Sequence, residues 1–129
     1  MRSRILFVSG HCDDARRLAP MLQALPLVVE QVETLQQASR KLQQADYEVI
    51  LTEAGLPDGD WLGVMRLARA HPGKPKVIVT DPQADARFWA EVLNLGAYDL
   101  LAQPFYEPEV RRILHNACTQ PPVHAMAAH

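Results

Sequence analysis

Short, nearly continuous apolar runs recur along this chain, and each is followed by a stretch with helical spacing. Ile5-Leu6-Phe7-Val8, Leu27-Val28-Val29, Val49-Ile50-Leu51-Thr52, Val77-Ile78-Val79-Thr80 and the segment from Tyr98 to Ala102 are the runs. They do not alternate apolar with polar, so they read as strands covered on both faces, the signature of a parallel sheet. Ala15, Leu18, Ala19, Leu22 and Leu25 repeat at helical spacing in a helix expected from about Asp13 to Leu25. Further helices are expected from Leu35, from about Asp60 to Ala70, from about Ala84 to Leu95, and from Glu107 to about Cys118. Five strands alternating with five helices make an α/β fold with a doubly wound five-stranded parallel sheet and right-handed crossovers.

Local signals punctuate these elements. Asp13 is read as the N-cap of the first helix, and Pro20 inside that helix predicts a kink. Thr34 with Gln37 is a capping box. Gly55 to Gly59 is a loop by its turn residues. Asp85 suits the first turn of the fourth helix, Gly96 closes that helix, and Pro108 suits the first turn of the last. At 129 residues, one domain is expected, over residues 1–118, with a frayed tail over 119–129. The net charge of -2 gives no basic excess for direct nucleic-acid binding. No apolar run approaches the roughly 20 residues of a membrane span, and Ile5 to Val8 is too short for a signal peptide after Met1-Arg2-Ser3-Arg4. A cytoplasmic protein with Cys12 and Cys118 both reduced is the expectation.

In sheets of this kind ligands gather at the carboxyl ends of the strands. The residues there are Ser9-Gly10, Glu53, Thr80 and Gln103. Glu53-Ala54-Gly55-Leu56-Pro57-Asp58-Gly59-Asp60 resembles the segment around the phosphorylated aspartate of response-regulator receiver domains, where three residues and a proline follow the acid. Gly96-Ala97-Tyr98-Asp99-Leu100-Leu101-Ala102-Gln103-Pro104-Phe105 resembles the family's Gly-Ala-x-Asp-Tyr-Leu-x-Lys-Pro-Phe segment. Thr80 falls on the family's Ser/Thr switch position. The resemblance covers roughly residues 4 to 118 and implies a flavodoxin-like fold with strand order 2-1-3-4-5 and a place in two-component (phosphorelay) signalling. It also implies a cis bond before Pro104 and a partner or homodimer surface on the last strand and helix, with Tyr98 and Leu100 on or beside it. A histidine kinase, a downstream regulator or a second copy is the implied partner.

Relative to that pattern, the chain looks like a degenerate member. The phosphoacceptor position holds Glu53. The metal-binding acid pair falls on Ser9 and Gly10, the lysine on Gln103, and the aromatic switch residue on Leu100. Acyl phosphate formation needs a placed aspartate, a magnesium ion and a balancing cation. With one carboxylate and no lysine, Mg²⁺ binding is expected to be lost or weak, with no cofactor and no phosphoryl transfer by the usual route. A buried Glu53 should have a raised pKa unless Thr80, Gln103 or backbone amides hydrogen-bond to it; it would be either a mimic of the phosphorylated state or a solvated acid at a disused site. Asp13 and Asp14 lie four residues too late to replace the acid pair and fit a helix cap better. His11-Cys12 is read as loop rather than metal site or nucleophile, and Asp58 and Asp60 as turn or cap residues. Trp61 and Trp89 are read as helix-face packing, with Trp61 near the site. The expected function is a non-enzymatic, phosphorylation-independent interaction module. The alternatives are a regulator weakly phosphorylated on Glu53 or Asp58 and a flavodoxin-like flavin or nucleotide binder, the latter lacking a glycine-rich loop after the first strand.

Overall fold

The computed structural model describes residues 3–119. The elements run β1 (Ser3–Val8), α1 (Cys12–Met21), β2 (Leu27–Val32), α2 (Leu35–Gln44), β3 (Val49–Glu53), β4 (Gly55–Leu56), β5 (Gly59–Asp60), α3 (Trp61–Ala70), β6 (Lys76–Asp81), α4 (Ala86–Asn94), β7 (Asp99–Ala102) and α5 (Glu107–Thr119). The main sheet has the order β2-β1-β3-β6-β7, and every pairing in it is parallel. Counted over its own strands this is the expected order 2-1-3-4-5. β4 and β5 are an addition: a two-residue antiparallel hairpin inside the loop read from Gly55 to Gly59.

The apolar runs divide by residue parity, because successive strand side chains point to opposite faces. Leu6, Val8, Ile50 and Val79 pack with Ala38, Val64 and Val92 under α2, α3 and α4. Ile5, Phe7, Leu51 and Ile78 pack with Leu18, Ile113 and Leu114 under α1 and α5. Burying each large side chain contributes about 1.5–3 kcal/mol. β3, at the centre, is buried along its whole length, Val49 to Glu53. That places the last residue of the central strand, Glu53, at the edge of a filled core.

The first helix departs from its reading. His11, not Asp13, is the N-cap, and it makes no side-chain capping bond. Asp13 is the second helical residue, exposed, with Arg16 at 4.0 Å. The helix ends at Met21 rather than Leu25, so Pro20 sits in its last turn, where it cannot donate back to the carbonyl four residues earlier. The other signals agree with the structure. Thr34 Oγ1 accepts from the Gln37 N–H at 3.1 Å while Gln37 Oε1 accepts from the Glu33 N–H at 2.8 Å. Asp60 caps α3, accepting from the N–H groups of Leu62 and Gly63. Asp85 caps α4 through the Phe88 N–H. α5 extends through Thr119, and the remaining residues of the expected tail lie outside the described residues.

Leu100 does not lie on an outer surface. It is 6% exposed and packs into the core beneath α3 and α4, since β7 turns alternate residues inward on both sides. Trp61 is buried and meets Phe88 edge-on at 6.2 Å, whereas Trp89 is half exposed, its Nε1 donating to Asp99 Oδ1 at 3.2 Å. Among the described residues no helix is long and apolar enough to cross a membrane. Gly96 follows α4 with φ +102, a conformation costly for any residue with a Cβ. Gly96→Ala should therefore lower stability by about 1–2 kcal/mol, read as a lower midpoint in urea with an unchanged m-value.

Candidate functional site

Glu53 is 7% exposed, so it is not a solvated acid. Burial alone favours its neutral form. The β1–α1 turn answers this. The Gly10 N–H donates to Glu53 Oε1 at 3.0 Å. His11 Nδ1 stands 3.1 Å from Oε1 and 3.3 Å from Oε2. A carboxylate only accepts, so Nδ1 carries the proton. Asp14 and the Ser9 hydroxyl complete the ring. Burial pushes the Glu53 carboxyl up, but hydrogen bonds from Asp14, Ser9 and His11 outweigh it and hold the group below the usual glutamate value. The condition set by the sequence, hydrogen bonds to the buried acid, is met by the Gly10 backbone amide, joined by side chains other than Thr80 or Gln103.

The cost appears on the neighbours. Asp14 is pushed up to about 6, first by its hydrogen bond to Glu53, then by burial and by the Glu53 charge. Its protonated form is the donor in that bond. His11 is raised by its hydrogen bond to Glu53 and by the same charge. One ligand-type atom from each of His11, Asp14 and Glu53 lies within 4.8 Å of the others. Both β1–α1 residues had been read as loop or cap. Asp14 reaches the strand ends because it is the third residue of a helix that starts at Cys12, and helical side chains point back towards the N-terminus. Its spacing from the first strand gave no signal of this.

The other strand-end residues surround a cavity of about 480 Å³, which His11, Asp14, Arg17, Glu53, Thr80 and Gln103 help to line. Ser9 is fully buried; its Oγ lies 3.0 Å from the His11 carbonyl oxygen and 3.1 Å from the His11 N, so it fastens the turn. Thr80 is fully buried and donates to the Leu101 carbonyl at 2.8 Å. Gln103 Nε2 is buried with no hydrogen-bond partner among the described residues. The Gln103–Pro104 bond is cis. Asp58 is outside the cluster: its carboxylate accepts from the N–H groups of Leu35 at 2.8 Å and Gln36 at 3.0 Å, capping α2 from a distance. Those bonds hold its pKa below the usual aspartate value.

Asp14→Asn puts a permanent donor beside Glu53 without a second charge. Asp14 in the native protein has a raised pKa, so its contribution to stability is present below about pH 4 and is lost as pH rises to about 6. Glu53 is lowered, so its own contribution is lost only as pH falls below the usual glutamate range, and it adds no slope above that range. The thermal midpoint of Asp14→Asn should therefore gain on the native protein between pH 5 and pH 8; an equal difference at both pH values would contradict the shared proton.

With the geometry in hand, the relatives of the chain can be placed. The profile described as response regulator receiver domain matches residues 5–115. The transcriptional regulatory protein KdpE of Staphylococcus aureus is 30% identical over 115 residues, covering 86% of this chain and 48% of that protein. A probable transcriptional regulatory protein of Sinorhizobium fredii is 35% identical over 82 residues, covering 64% of this chain and 36% of its own length. The chain therefore spans between about a third and a half of these curated relatives. The receiver domain of a Pseudomonas aeruginosa sensor histidine kinase, solved with magnesium coordinated in its active-site cleft, superposes with a TM-score of 0.80 at 27% identity, covering 93% of this chain and all of that one. The Vibrio cholerae chemotaxis response regulator CheY4 shares the fold, with a TM-score of 0.80 at 18% identity over 91% of this chain and 99% of its own. The chain belongs to the response regulator receiver domain family, the non-enzymatic signalling domain of two-component systems.

Proposed function

We propose that this receiver acts through phosphorylation-independent contact with a protein partner. The observation that carries the reading is the state of Glu53: the side chain at the acceptor position is already engaged by Gly10, His11 and Asp14. A glutamate also reaches one methylene further than aspartate, and misplacement of about 1 Å costs an in-line attack on the order of a hundredfold. Gln103, at the lysine position, brings a neutral amide where a transferred phosphoryl group needs a fixed positive charge. Leu100, at the aromatic position, is packed in the core and has no ring to swing.

Magnesium, implied by the family, does not suit these residues. Mg²⁺ takes a near-octahedral shell of oxygens, usually with one or two carboxylates and several waters. Here the turn after β1 brings an imidazole nitrogen to within 3.1 Å of the acceptor carboxylate, and Ser9 Oγ is tied to the backbone of that turn. Asp14 supplies the one further carboxylate, and its pKa is raised to about 6 beside Glu53. No step through magnesium is derived.

Weak phosphorylation, the second reading, gains nothing from Asp58, whose oxygens are engaged at the start of α2. The flavin or nucleotide reading gains nothing from the Ser9-Gly10-His11-Cys12 turn, which is not glycine-rich. The partner surface proposed is the face formed by β7 and α5 with the neighbouring α4. Tyr106, at the entrance to α5, is 65% exposed, and Trp89 and Leu95 of the α4 region are 49% and 42% exposed. Aromatic side chains of that kind carry much of the energy of protein contacts. A histidine kinase, a downstream regulator or a second copy of the chain fits such a face, and a cytoplasmic setting suits it.

The test is incubation with magnesium and acetyl phosphate or beryllofluoride. Intact mass and tryptophan fluorescence should both stay unchanged, Trp61 being the reporter because its backbone N–H donates to the carbonyl of Ala54, next to Glu53. A saturable, magnesium-dependent response would overturn the reading.

A further inference from the structure

Between the last turns of α2 and α3 the surface is hollowed into a cavity of about 560 Å³. It lies at the amino ends of the strands, since Asp46 precedes β3 and His71 stands between α3 and β6. The whole length of β3 therefore separates it from Glu53. We propose that this cavity binds a small aliphatic amine, with the ammonium group on Asp46 and the alkyl chain over Leu42 and Leu67. Its volume is that of a small-molecule site, for which about 300–1,000 Å³ is usual. Leu42, Leu67, Ala70 and Pro72 give it apolar walls.

The lining decides the charge of the occupant. α2 and α3 both present their C-terminal ends here, through their C-caps Ala45 and His71. A helix C-terminus carries a partial negative charge of roughly half a unit, from carbonyls without an intrahelical partner. Asp46 adds a full one. Among the described residues that line the cavity there is no Lys or Arg. Lys41 and Arg69, the basic residues of the two last turns, do not line it, and the Arg69 guanidinium donates to the Leu95 carbonyl instead. The chain already sets one ammonium on the end of α3, where Lys74 Nζ donates to the Arg69 carbonyl. His71 positions the carboxylate. Its side chain is 8% exposed, and its Nδ1 accepts from the Gly73 N–H at 2.9 Å, so the ring proton is on Nε2. Nε2 stands 3.5 Å from Asp46 Oδ1. A fixed donor on that side draws the carboxylate to the cavity wall and leaves its remaining lone pairs to an incoming ammonium. The charge-assisted contact and the burial of the alkyl chain then favour the same ligand.

The experiment titrates the full chain with pentylamine hydrochloride, pentanol and sodium pentanoate at constant pH and ionic strength, followed by amide proton–nitrogen NMR spectra. Pentylammonium should shift the signals of Asp46, Ala70 and His71 along one saturable curve and leave those of Gly10 and Glu53 in place. Pentanol, with the same chain and no charge, should bind at least about fivefold more weakly, and pentanoate should not bind. Asp46→Asn, at an exposed side chain, should lower the affinity for pentylammonium by at least about fivefold. Asp13→Asn, at an exposed acid of α1, should leave it unchanged. Equal binding of pentanol, an affinity undiminished by Asp46→Asn, or the absence of a saturable shift overturns the proposal. Tighter binding of acetyl-lysine methylamide than of pentylamine also overturns it, by assigning the cavity to a lysine side chain of a partner protein. Glu53 takes no part, so a response to beryllofluoride would defeat the phosphorylation-independent reading and leave amine binding to be decided by the Asp46 variant.

Discussion

A carboxylate at the end of the central strand, closed in by the core on one side and the β1–α1 turn on the other, sets the conditions for everything around it. Glu53 is buried on a strand that is buried throughout. An ionised group there is tolerable only with donors in place, since removing it from water otherwise costs several kcal/mol. The structure supplies a backbone amide, an imidazole and the raised-pKa carboxyl of Asp14 from one short segment, Gly10 to Asp14. The turn after β1 and the first turn of α1 are thereby held to β3 by the charge they neutralise. Each of those residues is explained by Glu53, and Glu53 is stable because of them.

This arrangement changes the character of the pocket relative to the family pattern. An aspartate flanked by two acids and a lysine is a site that collects a cation and then a phosphoryl group. Here an imidazole and a carboxyl with a raised pKa stand against Glu53, and the Gln103 amide nitrogen has no partner among the described residues. Thr80 is occupied with the Leu101 carbonyl. Leu100 is part of the core. On the proposed reading, the fold is kept while the groups of a phosphorylation switch are not.

The architecture was legible because its signals are collective. Continuous runs such as Ile5 to Val8 and Val49 to Thr52 suit only strands covered on both faces, and their order implied the sheet. Caps were legible where side-chain chemistry is specific, as at Thr34 and Asp60, while Asp85, read as a first-turn residue, proved to be the N-cap of α4. The site was legible at Glu53, Thr80 and Gln103, which sit at the strand ends, but not at His11 and Asp14. Their positions depend on where α1 begins, and a start at Cys12 with an N-cap histidine that makes no capping bond leaves no mark in residue type. A shift of one residue turns a helix by about 100°, enough to decide whether Asp14 meets Glu53 or solvent. The hairpin β4–β5 was hidden for a related reason: two-residue strands are set by the loop they close rather than by periodicity.

The loop after Glu53 is fastened at both ends and in the middle. The Ala54 N–H donates to the Thr80 carbonyl, the Ala54 carbonyl accepts from the Trp61 N–H, and Asp58 spans 22 and 23 residues to cap α2. A helix whose opening turn is completed by a distant loop cannot keep that turn if the loop is dragged away. The acceptor segment and α2 are in this sense a single lever, so a pull delivered at residue 53 is felt first at the opposite sheet edge from β7, as fraying of Leu35 and Gln36.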